Sequence, residues 1–369
     1  MDVAFAYLYH ADCVRLQCVK RWAAVRSGAP STGRRDLRID AVRGVALVLM
    51  YLAHCAPSPG PAKVLNLSEY ATYPLFALLV GVGAALGSRS ASRRWWVGPL
   101  VRGAVLVAVG EVLERQHAQV WIVLGFLGVL TWLAAPLARA RPAVVAGIGL
   151  MALGLAPWLN DRGATWTPNE FPGGLTGLHL ARFLAVGGPG VGEPYQLASM
   201  VFFAAVGILL SHYLLGTDVG DRRRLAIGVA CGFASAGWLA LEQAGVFEMV
   251  PYDVSYRVLL FDALLIVAIT LVVAALADRV RGLAAPLAAM GAMSLTLYCL
   301  QIAWLSYDVR VLHPGRDDSW LNVAVLIAGS MVFALAWRAA VRVEPWRRGP
   351  IEGPVAVMVR SLTPERARA

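Results

Sequence analysis

Charge is what this chain has least of. Asp, Glu, Lys and Arg make up 15% of its 369 residues, against about 25% in ordinary soluble domains. Water-soluble surfaces are built from such residues, and 58% of this chain is apolar, so a cytosolic enzyme, a disordered chain and a collagen-like repeat are excluded together. Cysteine is scarce too. The five, Cys13, Cys18, Cys55, Cys231 and Cys299, are odd in number and include no Cys-x-x-Cys pair, so neither a disulfide framework nor a metal knuckle is indicated. No repeat of fixed period and no inverted pair of halves is visible. Residues 1–30 lack the charged start, apolar stretch and small-residue cleavage site of a signal peptide, and 1–33 read as a poorly ordered cytoplasmic tail.

What the chain has instead is length of apolar sequence. Its mean hydropathy is +0.62, and about ten apolar runs stand out: 41–56, 70–87, 96–113, 119–138, 142–159, 195–215, 224–247, 257–277, 283–305 and 320–341. Crossing ~30 Å of hydrocarbon takes about 20 helical residues, so the shorter runs must recruit flanking residues or hide behind neighbours. Alternation of the kind a membrane barrel needs is missing. The expected fold is all-α: a polytopic membrane domain of about ten transmembrane helices over 34–345, followed by a cytoplasmic tail over 346–369.

The net charge of +10 would suggest nucleic acid if the bases formed one patch. They fall between the apolar runs instead. Arg89, Arg93 and Arg94, then Arg139 and Arg141, then Arg222, Arg223 and Arg224, then Arg279 and Arg281 cluster in alternate loops, and both chain ends are Arg-rich. The intervening loops hold only scattered Lys63, Arg115, Arg162, Arg182, Arg257, Arg310 and Arg316. This asymmetry predicts cytoplasmic termini in a plasma membrane. The Gly- and Pro-rich segment 160–194 becomes the longest outer loop, either a lid or a spacer.

Ionisable groups inside such runs cost about 2.5–3.5 kcal/mol each at mid-bilayer and are candidates for function. Arg43 and His54 belong to the first run, and Arg38 and Asp40 stand just ahead of it. The eleven helical steps from Arg43 to His54 turn about 20° past three full turns and rise ~16 Å, so both side chains share a face with Asp40 one turn below. A cation near the inner surface and an imidazole in the outer half could hold a long, two-ended ligand; alternatively, Asp40 and Arg43 form an interfacial ion pair and His54 bonds a backbone carbonyl. Ser294, Tyr298 and Gln301 stand at i, i+4 and i+7 on one face of the ninth run, where helix-to-helix hydrogen bonding is the simplest role.

Arg38-Ile39-Asp40-x-x-Arg43-Gly44-x-Ala46, with ten residues between Arg43 and His54, resembles the opening of the transmembrane acyltransferase superfamily, which includes the acyltransferase-3 proteins. Tyr73-Pro74-x-Phe76 with Gly81 is similar to the second helix of its heparan-alpha-glucosaminide N-acetyltransferase-like branch. Gly291-x-x-Ser294-Leu295-Thr296-x-Tyr298-x-x-Gln301 and Gly349-Pro350-Ile351-Glu352 look like signatures of its YeiB-like branch (domain of unknown function 418). The chain departs in having Tyr70 where the glucosaminide branch has an acid, with Glu69 one residue further back, and Ala292 where the later motif has Arg. The resemblance implies an acyl-CoA donor, acetyl-CoA first, on the cytoplasmic side and a sugar or glycolipid acceptor of the bacterial cell envelope on the other, with no metal and no nucleic acid. It further implies that His54 acts as general base with Glu69 orienting it, that Arg43, Asp40 and Arg38 hold the CoA end, and that Ser294, Tyr298 and Gln301 line the substrate pocket. A transporter or flippase, or a catalytically degenerate member of the family, would share the same outer cavity without the chemistry.

Overall fold

A computed structural model describes residues 36–88, 94–116, 118–163, 195–216, 219–313 and 318–363; the expected tail 1–33 and nearly all of the 160–194 loop lie outside these. Among the described residues the chain is helical throughout, with no strand. The α-helices are α1 (Leu37–Cys55), α2 (Leu67–Ser88), α3 (Val97–Glu114), α4 (Leu124–Leu137), α5 (Pro142–Gly163), α6 (Leu197–Tyr213), α7 (Asp221–Gln243), α8 (Tyr256–Leu276), α9 (Arg281–Ala292), α10 (Ser294–Tyr307), α11 (Trp320–Ala340) and α12 (Glu352–Leu362). Short polar residues set several starts by accepting from the otherwise unpaired first-turn N–H groups. Asp36 accepts from Arg38 N at 3.0 Å, and Ser319 accepts from Asn322 N at 3.1 Å.

Every apolar run of the sequence coincides with a helix except 283–305, which breaks at Met293 into α9 and α10, bent by 77°. Among the described residues five helices are long and apolar enough to cross a membrane: α2 with its preceding turn, α5, α7, α8 and α11, or six if the bent pair counts as one span. The other expected spans fall short for visible reasons. Within the helix α1 carries Arg38, Asp40 and Arg43, α3 carries Arg102, Glu111 and Glu114, and α4 and α6 have 14 and 17 residues. Outward-facing positions confirm an apolar exterior: Phe233 of α7 is 76% exposed, Leu321 of α11 70% and Leu150 of α5 67%. Faces of that composition are stable against hydrocarbon rather than water.

Lipid is as apolar as leucine, so helices in it are held by close packing and hydrogen bonds rather than by exclusion of water. Glycine supplies the close packing here. A Cβ on Gly44 of α1 would strike the Leu287 carbonyl of α9, and one on Gly291 of α9 would strike the Asp40 carbonyl of α1. Gly81 and Gly207 make the same reciprocal contact between α2 and α6, through the carbonyls of Ala204 and Leu78.

Arginines near the helix ends tie neighbouring elements together. Arg38 Nε donates to Asp278 Oδ2 at 2.7 Å just past α8, with Asp221 of α7 3.8 Å away. Arg139 Nη1 donates to the Ser88 carbonyl at 3.2 Å and lies over the Trp95 ring. Within the segment expected as a tail, residues 346–363 form a 3-10 turn (Trp346–Arg348) and α12, which packs on α3. Buried Gly353 permits this by letting α12 sit on the backbone of Trp346.

Gly291→Ala should lower the unfolding temperature in detergent, because the obstructing atom is backbone and overpacking of this kind costs about 1–3 kcal/mol. Gly329→Ala, on a part of α11 where a Cβ meets nothing within 4 Å, should be neutral or stabilising through helix propensity. Equal effects would refute the packing argument.

Candidate functional site

The first helix is unbroken from Leu37 to Cys55, so the expected register holds. Arg43 Nη1 donates to Asp40 Oδ1 at 2.9 Å, one turn below it, with Asp40 almost fully buried and the Arg43 side chain 27% exposed. A guanidinium has five N–H donors, and Arg43 turns Nη2 toward Gly83 of α2, where a Cβ would still clear it by 3.7 Å. Arg43 also abuts α9, its Cβ standing 2.9 Å from where a side chain on Gly291 would begin. Arg38 is placed differently. Its ion pairs with Asp278 and Asp221 clamp α1 to the ends of α7 and α8.

At the far end of α1, buried His54 meets α10. Its Nδ1 lies 2.6 Å from Gln301 Nε2, while Gln301 Oε1 is buried without a hydrogen-bond partner. Amide orientation and imidazole tautomer are set jointly by such a contact. Turning the amide over keeps the contact and lets Nδ1–H donate to Oε1, which leaves the lone pair on Nε2, as a general base requires. Arg43 and His54 therefore both face the bent α9–α10 pair, one at each arm.

Beside the His54 turn lies a cavity of about 200 Å³ walled by Leu52, Ala53 and Ala56 of the α1 end and by Asn66, Ser68 and Glu69 at the start of α2. Asp318, just ahead of α11, joins them. Glu69 is thus brought to the histidine end of the stripe, and Asp318 is an acid that the linear sequence offered no reason to group with it. Of the remaining expected pocket residues, Tyr298 is buried, with its hydroxyl accepting from Val123 N at 3.4 Å. Ser294 is half-buried as the first residue of α10.

The break at Met293 is satisfied by a residue outside the expected site. Glu352 Oε1 accepts from Leu295 N at 2.8 Å and from Thr296 N at 3.0 Å, and its Oε2 accepts from Thr296 Oγ1 at 2.6 Å. Gly349, at φ +135°, is required beside it, since a Cβ there would collide with the Glu352 carboxylate. The two C-terminal motifs of the sequence are therefore one structural unit, a carboxylate on a helix N-terminus. A second unexpected network lies at the end of α10. Trp304 Nε1 donates to Asn322 Oδ1 at 3.0 Å, Asn322 Nδ2 donates to buried Asp308 at 2.8 Å, and exposed His313 lies 3.0 Å from the same carboxylate. Among the described residues no group of three or more His, Cys, Asp or Glu converges as a metal site. Neither models of known protein families nor curated proteins match this chain.

Removing the Glu352 cap leaves two N–H groups without their acceptor, so Glu352→Ala should cost about 1–3 kcal/mol and Glu352→Gln, which keeps an oxygen, less. Burial pushes the Glu352 carboxyl above its ordinary 4.5, against the opposing pull of its bonds to Thr296 and Leu295. The folded chain then keeps this proton to higher pH than the unfolded chain, so the contribution of the group to stability falls as pH rises from the ordinary carboxyl value through the folded one. Unfolding temperatures of wild type relative to Glu352→Gln should decline over that window; a flat difference would remove the assignment.

Proposed function

We propose that the protein is a transmembrane acyltransferase that takes an acyl group, acetyl first, from cytoplasmic acyl-CoA to a hydroxyl or amine of an envelope sugar or glycolipid on the opposite face. The observation that carries this reading is the 2.6 Å contact between His54 and Gln301, which joins the opening motif of the chain to its later one at the outer end of the Arg43 stripe. In this reading all ten helical runs are accommodated in the membrane with both termini cytoplasmic. The side bias of the arginines between the apolar runs supports that orientation.

The chemistry follows from the two ends. Arg43 donates to a phosphate of the donor, as a forked cation suits, while Asp40 holds the guanidinium in place. The ~16 Å from Arg43 to His54 is comparable with an extended pantetheine arm. Acceptor O–H or N–H gives its proton to His54 Nε2 while its heteroatom attacks the thioester carbonyl. The C–S bond breaks, the CoA sulfur leaves, and the proton passes to it as thiol, so atoms and charge balance. Gln301 orients the imidazole. Glu69, Asp318 and Asn66 offer hydrogen bonds to a polyol or an amine and repel an anionic acceptor.

With purified protein, labelled acetyl-CoA and a pool of envelope sugars, His54→Ala should reduce transfer by about 10²–10⁴-fold, the usual worth of a general base. Arg43→Gln should raise KM for acetyl-CoA roughly 10-fold or more, as loss of a charged hydrogen bond does, with kcat nearly unchanged. His313→Ala should transfer at the wild-type rate. Transfer that survives His54→Ala, or that is lost in His313→Ala instead, would remove His54 from the mechanism.

A further inference from the structure

The last candidate span fixes where the C-terminal segment lies. α11 is long and apolar enough to cross a membrane, and from its last turn Trp337 Nε1 donates to the Trp346 carbonyl at 3.0 Å. α12 is tied to the starts of two more helices. Arg94 Nη1, just ahead of α3, donates to the Leu362 carbonyl at 3.2 Å, and Val359 packs beside Gly98 in the first turn of α3. At the start of α10, Glu352 accepts from Leu295 N and Thr296 N, and the Ile351 N–H donates to Thr296 Oγ1 at 3.2 Å. Three helix ends therefore meet α12 and the turn before it, and the end of a span lies where hydrocarbon gives way to headgroups. With 11 residues α12 covers only ~16 Å, so it cannot itself cross.

The side of α12 turned away from these contacts is apolar. At 100° per residue, Pro354, Val357, Met358, Ser361 and Leu362 line up at i, i+3, i+4, i+7 and i+8, all exposed, with exposed Arg360 at the edge of the stripe. Val355, Ala356 and Val359, half-buried, take the opposite side. The approach to α12 is of the same kind, with Trp346 exposed and Val343 68% exposed. Arginine accompanies this apolar surface: Arg342 and Arg347 are exposed as well. The acids of the segment do not cancel them, because Glu344 is paired with Arg348 at 2.9 Å and Glu352 is turned inward onto α10.

An apolar stripe with a tryptophan and arginines beside it, held level with the end of a span, matches the layer where acyl chains meet phosphate. Valine, methionine and leucine gain from the acyl region, and forked guanidinium groups pair with phosphate oxygens. An anionic lipid surface attracts each basic residue close to it. We propose that α12 and the turn before it are a docking surface for anionic phospholipid. The helix lies flat in the headgroup layer, with Val357, Met358 and Leu362 toward the acyl chains and Arg342, Arg347 and Arg360 on lipid phosphates. This does not depend on the acyl-transfer reading, although lipid that seats α12 also seats Glu352 on the break before α10.

Full-length protein at one chain per nanodisc, with acyl chains brominated near the headgroup, tests the surface through Trp346 fluorescence. Bromine quenches an indole in contact with it, so wild type minus Trp346→Phe isolates one of the 12 tryptophans and leaves the backbone carbonyl at 346 bonded to Trp337. That signal should be quenched, and more strongly when phosphatidylglycerol replaces part of the phosphatidylcholine. Arg347→Gln/Arg360→Gln should lose the phosphatidylglycerol-dependent part, each arginine near an anionic surface being worth roughly fivefold in lipid preference. Arg347→Lys/Arg360→Lys, which keeps the charge, should retain most of it, and Arg257→Gln, beside Phe247 at the start of α8, should retain all of it. A Trp346 signal that brominated chains do not quench, or quench equally with and without phosphatidylglycerol, would overturn the proposal. So would loss of the quenching when two chains share a disc, because a second copy would then be the occupant.

Discussion

The contact on which the rest of the molecule depends is backbone against backbone between α1 and α9. Gly44 and Gly291 face carbonyls of the opposite helix, and no larger residue fits at either point. Such an approach fixes axial register as well as distance, because each glycine must stand opposite its own carbonyl. Arg43 and Asp40 flank this contact, so their depth in the bundle is set by it. The same register carries along the rigid rod of α1 to His54, which then arrives opposite Gln301 rather than one turn above or below. A site with two ends on one helix is only as accurate as the clamp holding that helix, and here the clamp sits at one of the two ends.

The break at Met293 is the complement of that rigidity. A straight helix through 283–305 would carry α10 along α1 without turning Gln301 toward His54. Bending it exposes first-turn N–H groups in a region with little water, where each unsatisfied group is costly. Glu352 meets this demand from more than fifty residues away, and α12 docks on α3 to keep it there. The C-terminal segment therefore acts as part of the membrane fold, because the geometry of the bent pair depends on it.

Much of this was legible in the sequence because apolar length and helical spacing are local properties. The apolar runs, the shared face of Asp40, Arg43 and His54, and the common face of Ser294, Tyr298 and Gln301 all follow from counting residues. The break between α9 and α10 was not legible, since the run is apolar overall on both sides of Met293 and the carboxylate that caps it, Glu352, lies far along the chain. Asp318 beside Glu69, and Asp308 with Asn322 and His313, are pairings across the fold that no spacing encodes. Arg38 is a further case that spacing does not encode. It shares a motif with Arg43, yet the aspartates that capture it come from the ends of α7 and α8, whose proximity only packing decides.

Comparison of the buried charges shows how the bundle treats each one. Asp40 is neutralised by Arg43 one turn away. Arg224, fully buried, spends its guanidinium on Asp221 and on the carbonyls of Leu214 and Gly216, all near in sequence. Asp308 is held by Asn322 and His313, and Glu352 by two N–H groups and a hydroxyl. In each case the side chain that bears charge is matched by donors or acceptors of the fitting kind, as a low-dielectric interior demands. Asp262 of α8 breaks this pattern: it has no exposed surface, and neither of its oxygens has a hydrogen-bond partner among the described residues. A fold that satisfies its other buried charges so consistently has no structural need for an acid at that position, since leucine or asparagine would fill α8 at lower cost.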